Sequence, residues 1–261
     1  MTSFHVVIPA RYQSSRLPGK LLMDLNGMTV IERVYRQALL AGASSITIAT
    51  DSEKIFEHAT EFGAQVVMTA TTHQSGTERI AEVIARQRFS KDAIIVNVQG
   101  DEPLISPVLI KQVASTLSES NSPMATLCWP IETLDEMMNP NVVKVVRDYH
   151  NNALYFSRSR IPANRDNAVQ ISDGFRHIGL YAYRASFLLD YVNLPVCSLE
   201  AVEALEQLRV LWAGYKINVA TAVVAPQQDI NTLDDLQKAR ENIVNQRPRT
   251  SNRQRNPSHD R

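Results

Sequence analysis

Three cations, Arg11, Arg16 and Lys20, follow the first apolar run of the sequence. Asp51 follows the second run, His73, Gln74, Ser75 and Gly76 the third, and Gln99, Gly100, Asp101 and Glu102 the fourth. Cations of this kind neutralise phosphates, Arg through a planar fork and Lys as a point charge. Gly19 lets the backbone come close to a ligand. Asp101 is a candidate Mg²⁺ ligand, because that ion takes one or two carboxylates beside phosphate oxygens and water. The set therefore suits a nucleoside triphosphate. The sequence has no G-x-x-x-x-G-K-[ST] and no G-x-G-x-x-G, which argues against a P-loop kinase and a dinucleotide-binding dehydrogenase.

The elements that must hold these residues alternate. Residues 4–10, 46–50, 64–69 and 93–98 read as strands, and 30–39, 53–62 and 77–87 as helices between them. Thr29 and Glu32 have capping-box spacing, and Gly42 and Gly63 are natural helix stops. Strands alternating with helices imply parallel pairing through right-handed crossovers. In such a sheet, ligands collect beyond the carboxyl ends of the strands, where the cations, small residues and acids lie. The second half is more mixed. Strands are predicted at 124–131, 142–148, 153–158, 176–183 and 216–224, with a hairpin turning at Asn151 and Asn152. One helix is predicted over 198–212, with Leu199, Val202, Leu205, Leu208, Leu211 and Trp212 on its packed face. A last helix is predicted over 232–245, capped by Thr232. The expected fold class is α/β: a Rossmann-like mixed sheet, mostly parallel, flanked by helices. It is read as a single domain over 1–246, with a parallel first half and a more antiparallel second half.

Composition bounds the function. The 261 residues are 44% hydrophobic and 21% charged, enough for a core without staples. The 27 basic and 27 acidic residues fall to 22 and 26 once the five Arg and one Asp of 247–261 are set aside. The folded part is thus slightly acidic, so no nucleic-acid partner is expected. Residues 247–261 read as a basic, disordered tail. Cys128 and Cys197 are too few and too far apart for a metal cluster. No apolar run is long enough for a membrane span or signal peptide, so the expected location is the cytoplasm, with no membrane partner.

The motifs IPARY (8–12), SRLPGK (15–20), ATD (49–51), HQSGTER (73–79), VNVQGDEP (96–103), NPNVVK (139–144), ALYFSR (153–158), RHIGLYAYR (176–184) and LEQLRVL (205–211) run in order along the chain. Together they resemble the nucleotide-sugar cytidylyltransferases, most of all the members that take 3-deoxy-manno-octulosonate (Kdo). The resemblance implies transfer of CMP from CTP to the anomeric hydroxyl of Kdo, with Mg²⁺ as cofactor, release of pyrophosphate, and a role in lipopolysaccharide synthesis. It implies a nucleotidyltransferase fold with a CTP-binding half near 1–120 and a sugar-binding, dimerising half near 121–246, and a homodimer. Carried over by position, Arg11, Arg16 and Lys20 grip the triphosphate, and Ala10, Ser75, Gly76 and Arg79 help seat the cytidine, partly by backbone contacts. Arg11, Lys20 and Asp101 are the expected catalytic residues, and Asp101 binds Mg²⁺. Gln99, Arg158, His177, Tyr181, Glu206 and Gln207 line the sugar site, Arg158 facing the sugar's carboxylate. Without the resemblance, His177 reads as a core histidine, Glu206 and Gln207 as a solvated helix face, and one of Tyr181 and Tyr183 as core. The family's VDTPED segment is INTLDD here, at 230–235. Asn231 thus stands where a second metal carboxylate is expected, with Asp229 as a possible substitute. The alternatives are a related acidic sugar, such as an 8-amino Kdo analogue or a sialic-type acid, or a catalytically weak nucleotide-binding paralogue.

Overall fold

The computed structural model describes residues 2–14, 17–166, 174–227 and 229–246. The tail at 247–261 and Arg16 lie outside the described residues. The first half alternates strand and helix: β1 (His5–Ala10), α1 (Val30–Leu40), β2 (Ser45–Thr50), α2 (Glu53–Glu61), β3 (Gln65–Met68), α3 (Gly76–Gln87), β4 (Ile94–Asn97) and α4 (Pro107–Ser118). The second half holds β5 (Met124–Pro130), α5 (Leu134–Met138), β6 (Lys144–Arg147), β7 (Ala153–Ser157), β8 (Phe175–Arg184), α6 (Ala185–Tyr191), α7 (Ser198–Glu203), α8 (Gln207–Trp212), β9 (Ile217–Thr221) and α9 (Leu233–Gln246).

Among the described residues nine strands form one sheet in the order β3-β2-β1-β4-β8-β5-β9, with β6 beside β8 and β7 beside β6. β1, β2, β3 and β4 pair in parallel, whereas β8 runs antiparallel to β4, β5 and β6. This is the mixed sheet expected from the sequence, including the β6–β7 hairpin. β1 is apolar and buried from Val6 to Ala10 because both of its faces are covered. Val6 and Ile8 pack with α1 and α4 residues such as Val34 and Leu109 on one side. Val7 packs with α3 residues Ile80 and Val83 on the other. The chain order reverses between β1 and β4, so the crevice between their carboxyl ends is the switch point where ligands bind in such sheets.

The expected single helix over 198–212 is two helices. Ala204 sits at φ 50 between α7 and α8, a left-handed conformation that disfavours any residue with a Cβ. Arg158 supplies the cause. It donates from Nε to the Glu203 carbonyl at 2.6 Å and from Nη2 to the Ala204 carbonyl at 3.3 Å. Those carbonyls would otherwise accept from the next helical turn. The break also changes the packed face. Leu205 and Leu208 stay buried, while Leu199, Val202 and Trp212 are exposed.

Candidate active site

Each carboxyl end of the parallel strands is shaped by local chemistry. Beyond β1, the loop folds back through a Gly19 N–H bond to the Tyr12 carbonyl at 3.0 Å, with Gly19 at φ 70. That conformation favours glycine, and it starts the short turn carrying Lys20. Lys20 Nζ then donates to Asp101 Oδ2 at 2.5 Å and to the Ile230 carbonyl at 2.9 Å. One side chain thus ties the loop after β1 to the end of β4 and to the segment before α9. A Cβ on Gly100 would lie 2.9 Å from the Pro9 carbonyl. Only glycine lets the β4 end pass this close to β1 and set Asp101 beside Lys20. Ala10 is the buried last residue of β1. Arg11 has a buried Nη2 with no hydrogen-bond partner. A cationic donor held in this state is primed for an anionic oxygen.

The loop before α3 is equally fixed. Ser75 caps α3 by accepting from the Glu78 N–H at 3.1 Å, leaving Gly76 as the first helical residue. His73 Nε2 meets Glu82 at 2.5 Å, and Glu82 accepts the Ala70 N–H at 2.9 Å. Arg79, expected to help seat the cytidine, has its side chain set against the strand ends. Its side chain is fully enclosed, with Nη2 on Asp51 Oδ2 at 2.6 Å and Nη1 on the Thr69 hydroxyl. Arg79 braces the ends of β2 and β3 against α3 and so positions Ser75 and Gly76. Asp51 is spent in the same brace.

Two cavities lie beyond these strand ends. The larger, about 1260 Å³, is lined by Asp101, Glu102, Asp229, Asn231, Arg158 and Arg176 among others. Burial, then the charges of Asp101 and Asp229, push the Glu102 carboxyl up to about 8. Asp101 and Asp229 both lie close enough to Glu102 to disfavour its charge, and two neighbouring carboxylates of this kind fit a divalent cation. Among the described residues no group of three His, Cys, Asp or Glu converges as a metal site. A cation held by Asp101 and Asp229 would therefore complete its shell with phosphate oxygens and water, as Mg²⁺ does. Asn231 donates its amide N–H to Asp229, and so orients a neighbouring carboxylate. Asp235 accepts the N–H groups of Asn231 and Thr232 at 3.0 and 2.8 Å and fixes the segment at the α9 cap. Arg158 lines this cleft, but its guanidinium is committed to the carbonyls of Pro140, Glu203 and Ala204. Its place is in the wall of the cleft, where three of its five guanidinium N–H groups serve these carbonyls.

The smaller cavity, about 310 Å³, is built on β8. His177, Gly179, Tyr181 and Tyr183 fall on one face, because side chains two apart on a strand point the same way. The rings of His177 and Tyr181 lie 5.3 Å apart, and those of Tyr181 and Tyr183 stack at 5.9 Å. Both tyrosines line the cavity, and Tyr183, almost fully buried, is also part of the core on that side of the sheet, as expected for one of the two. Gly179 opens the space between His177 and Tyr181, since a Cβ there would meet nothing within 4 Å. Glu206, aimed inward by the helix break, accepts from the Thr77 hydroxyl at 3.0 Å, and burial raises its pKa. Gln207 lines the same cavity, and Gln99, His177, Gly179 and Ala204 border both cavities. Glu206 and Gln207 are thus pocket residues and not a solvated helix face.

Burial pushes His177 down to about 3. The Thr126 hydroxyl lies 3.0 Å from His177 Nε2, and 3.0 and 2.8 Å from the Ile178 and Leu180 carbonyls. Its single proton goes to a carbonyl, so Nε2–H donates to Thr126 and Nδ1 is left as an acceptor. His177 stays neutral in the fold below pH 6.5 while the unfolded chain takes up a proton. Stability is therefore expected to fall as pH drops from about 6.5 toward 3. Denaturant unfolding of His177→Gln against wild type at pH 7 and pH 5 checks this, and the variant should lose less stability.

Thr77, Glu102 and Tyr191 are site residues that sequence reasoning left unassigned. Thr77 and Glu102 sit inside the quoted motifs, whereas Tyr191 gave no signal within an apolar helix. No helix among the described residues is long and apolar enough to cross a membrane.

Comparison with known proteins agrees with this geometry. The cytidylyltransferase family model matches residues 5–217. A 3-deoxy-manno-octulosonate cytidylyltransferase of Legionella pneumophila (strain Corby) is 61% identical over 234 residues, covering 90% of this chain and 94% of that one. One from Vibrio parahaemolyticus serotype O3:K6 is 53% identical over 243 residues, covering 91% and 97%. The solved structure of CMP:2-keto-3-deoxy-manno-octonic acid synthetase complexed with CTP superposes with a TM-score of 0.86 at 39% identity, over 93% of this chain and 99% of that one. With its strand-end cations and acids in place and these relatives matched along most of its length, the chain belongs to the cytidylyltransferase family of nucleotidyltransferases.

Proposed function

We propose that this protein transfers CMP from CTP to the anomeric hydroxyl of Kdo, giving CMP-Kdo and pyrophosphate. The observation that carries this reading is the shared border of the two cavities. One holds charge chemistry suited to a triphosphate, and the other holds phenol, imidazole, amide and carboxyl groups suited to sugar hydroxyls. The shared name of the relatives favours Kdo over other acidic sugars. The sugar oxygen attacks the α-phosphorus as the bond to the pyrophosphate oxygen breaks, and the hydroxyl proton passes to solvent water. Arg11 and Lys20 neutralise the phosphates, and Ala10, Ser75 and Gly76 offer backbone to the cytidine. Gln99, His177, Tyr181, Glu206 and Gln207 orient the sugar, so that positioning and charge neutralisation lower the barrier. Mg²⁺ held by Asp101 and Asp229 would supply further positive charge at the phosphates.

Pyrophosphate release with CTP, Kdo and Mg²⁺, against UTP and sialic acid, tests this. Release with CTP and Kdo alone is expected. CTP binding without release for any sugar would overturn it in favour of a weak paralogue. In the cation site, Asp229→Asn is expected to weaken Mg²⁺ binding about tenfold, by removing one of few charged ligands. Calorimetric titration of Mg²⁺ into the CTP-bound protein measures this without turnover. An unchanged Mg²⁺ affinity would return the role to Asn231.

We also propose a cytoplasmic homodimer serving lipopolysaccharide synthesis. β7 pairs only with β6 among the described strands, and Leu154 on it is exposed. An open, apolar edge of this kind favours a partner. A monomer in sedimentation at micromolar concentration would overturn the dimer.

A further inference from the structure

Two buried polar atoms in the smaller cavity have no partner: Tyr191 Oη and Gln207 Nε2. Tyr191 is 3% exposed and Gln207 5%. Leaving a buried donor unmade costs about 1–3 kcal/mol, so groups left this way point to a ligand that completes them. The Tyr191 ring is held rigidly. The Arg209 guanidinium lies 5.0 Å over it, and Arg209 is itself fixed to Glu200 by bonds of 2.7 and 2.6 Å. The Phe187 ring stands 6.4 Å from it. A phenol both donates and accepts, whereas an amide NH₂ only donates. A sugar hydroxyl, which can accept from the amide and exchange a hydrogen bond with the phenol, satisfies both.

We propose that Tyr191 is a specificity-determining residue of the sugar site, its Oη and the Nε2 of Gln207 together recognising a hydroxyl of the acidic sugar. This rests on the reading of the chain as a Kdo cytidylyltransferase. Burial also holds the Tyr191 phenol well above its ordinary pKa, so it meets the sugar as a neutral hydroxyl at all physiological pH.

Tyr191→Phe removes the hydroxyl and keeps the ring under Arg209. The Kdo KM is expected to rise about tenfold, while the CTP KM stays within twofold. Without sugar, the variant's Tm should equal or exceed that of wild type, because an unsatisfied buried group is gone. The further rise in Tm on adding Kdo to the CTP-bound protein should shrink. An unchanged Kdo KM, or a lower sugar-free Tm with Kdo and CTP KM altered equally, would overturn the assignment and make the hydroxyl structural. If wild type turns over Kdo and the variant matches it, this assignment alone falls. If wild type makes no CMP-Kdo, the functional reading falls and takes the assignment with it.

Discussion

Asp101→Asn and Lys20→Ala are each expected to lower kcat/KM for CTP by about 10²–10³-fold, the range seen when one preorganised electrostatic group is removed from a reacting centre. The two residues act as one unit. Lys20 Nζ holds Asp101 Oδ2 at 2.5 Å and the Ile230 carbonyl at 2.9 Å. Removing Lys20 deletes a positive charge at the phosphates and releases both the aspartate and the segment carrying Asp229. Removing the Asp101 charge keeps the volume but takes away the proposed cation ligand and the counter-charge that aims Lys20. Groups coupled in this way give non-additive losses. The double variant should therefore fall close to the worse single variant, not to the product of the two. Pyrophosphate release measures the rates, and calorimetry should still detect weakened CTP binding to Asp101→Asn. Multiplicative losses would mean that the two groups serve separate steps.

The sheet and its switch point were legible because β1, β2 and β4 are short apolar runs and each is followed by its functional residues. Thr29 caps α1 as its spacing predicts, accepting the Glu32 N–H at 3.3 Å. The Glu32 carboxylate goes to Arg36 instead of reaching back to the cap. What the sequence hid was set by tertiary contact. The break at Ala204 depends on Arg158, 46 positions away, so helical periodicity over 198–212 could not reveal it. The order of roles among charged residues was hidden for the same reason. Arg79 and Arg158 carry the right chemistry for ligands, and several of their donors are held by groups inside the protein. The hollow at Gly179 is also a matter of space: the row His177, Gly179, Tyr181, Tyr183 has the strand period, and the missing side chain becomes a cavity only because α8 and α3 roof it.

Asp51→Asn is expected to destabilise the fold by about 3–5 kcal/mol, since it leaves an enclosed cation without its counter-charge. The Arg79 side chain is 0% exposed, and that of Asp51 19%. Arginine cannot shed its proton to escape, so the cost falls on the fold. At about 2–4 °C per kcal/mol for a chain of this size, Tm should drop by about 10 °C. Arg79→Met is expected to cost less. It removes the buried charge, fills similar volume, and leaves Asp51 with enough exposure to be hydrated. Thermal and denaturant unfolding of both variants measure the asymmetry. The CTP KM should rise in both, because Asp51, Thr69 and Arg79 together hold the turn that presents Ser75 and Gly76. The pair of measurements separates a brace from a ligand. A brace lowers Tm and raises the CTP KM together, in either variant. A guanidinium that itself gripped the cytidine would raise the CTP KM in Arg79→Met at unchanged Tm, and that result would return Arg79 to the nucleotide site.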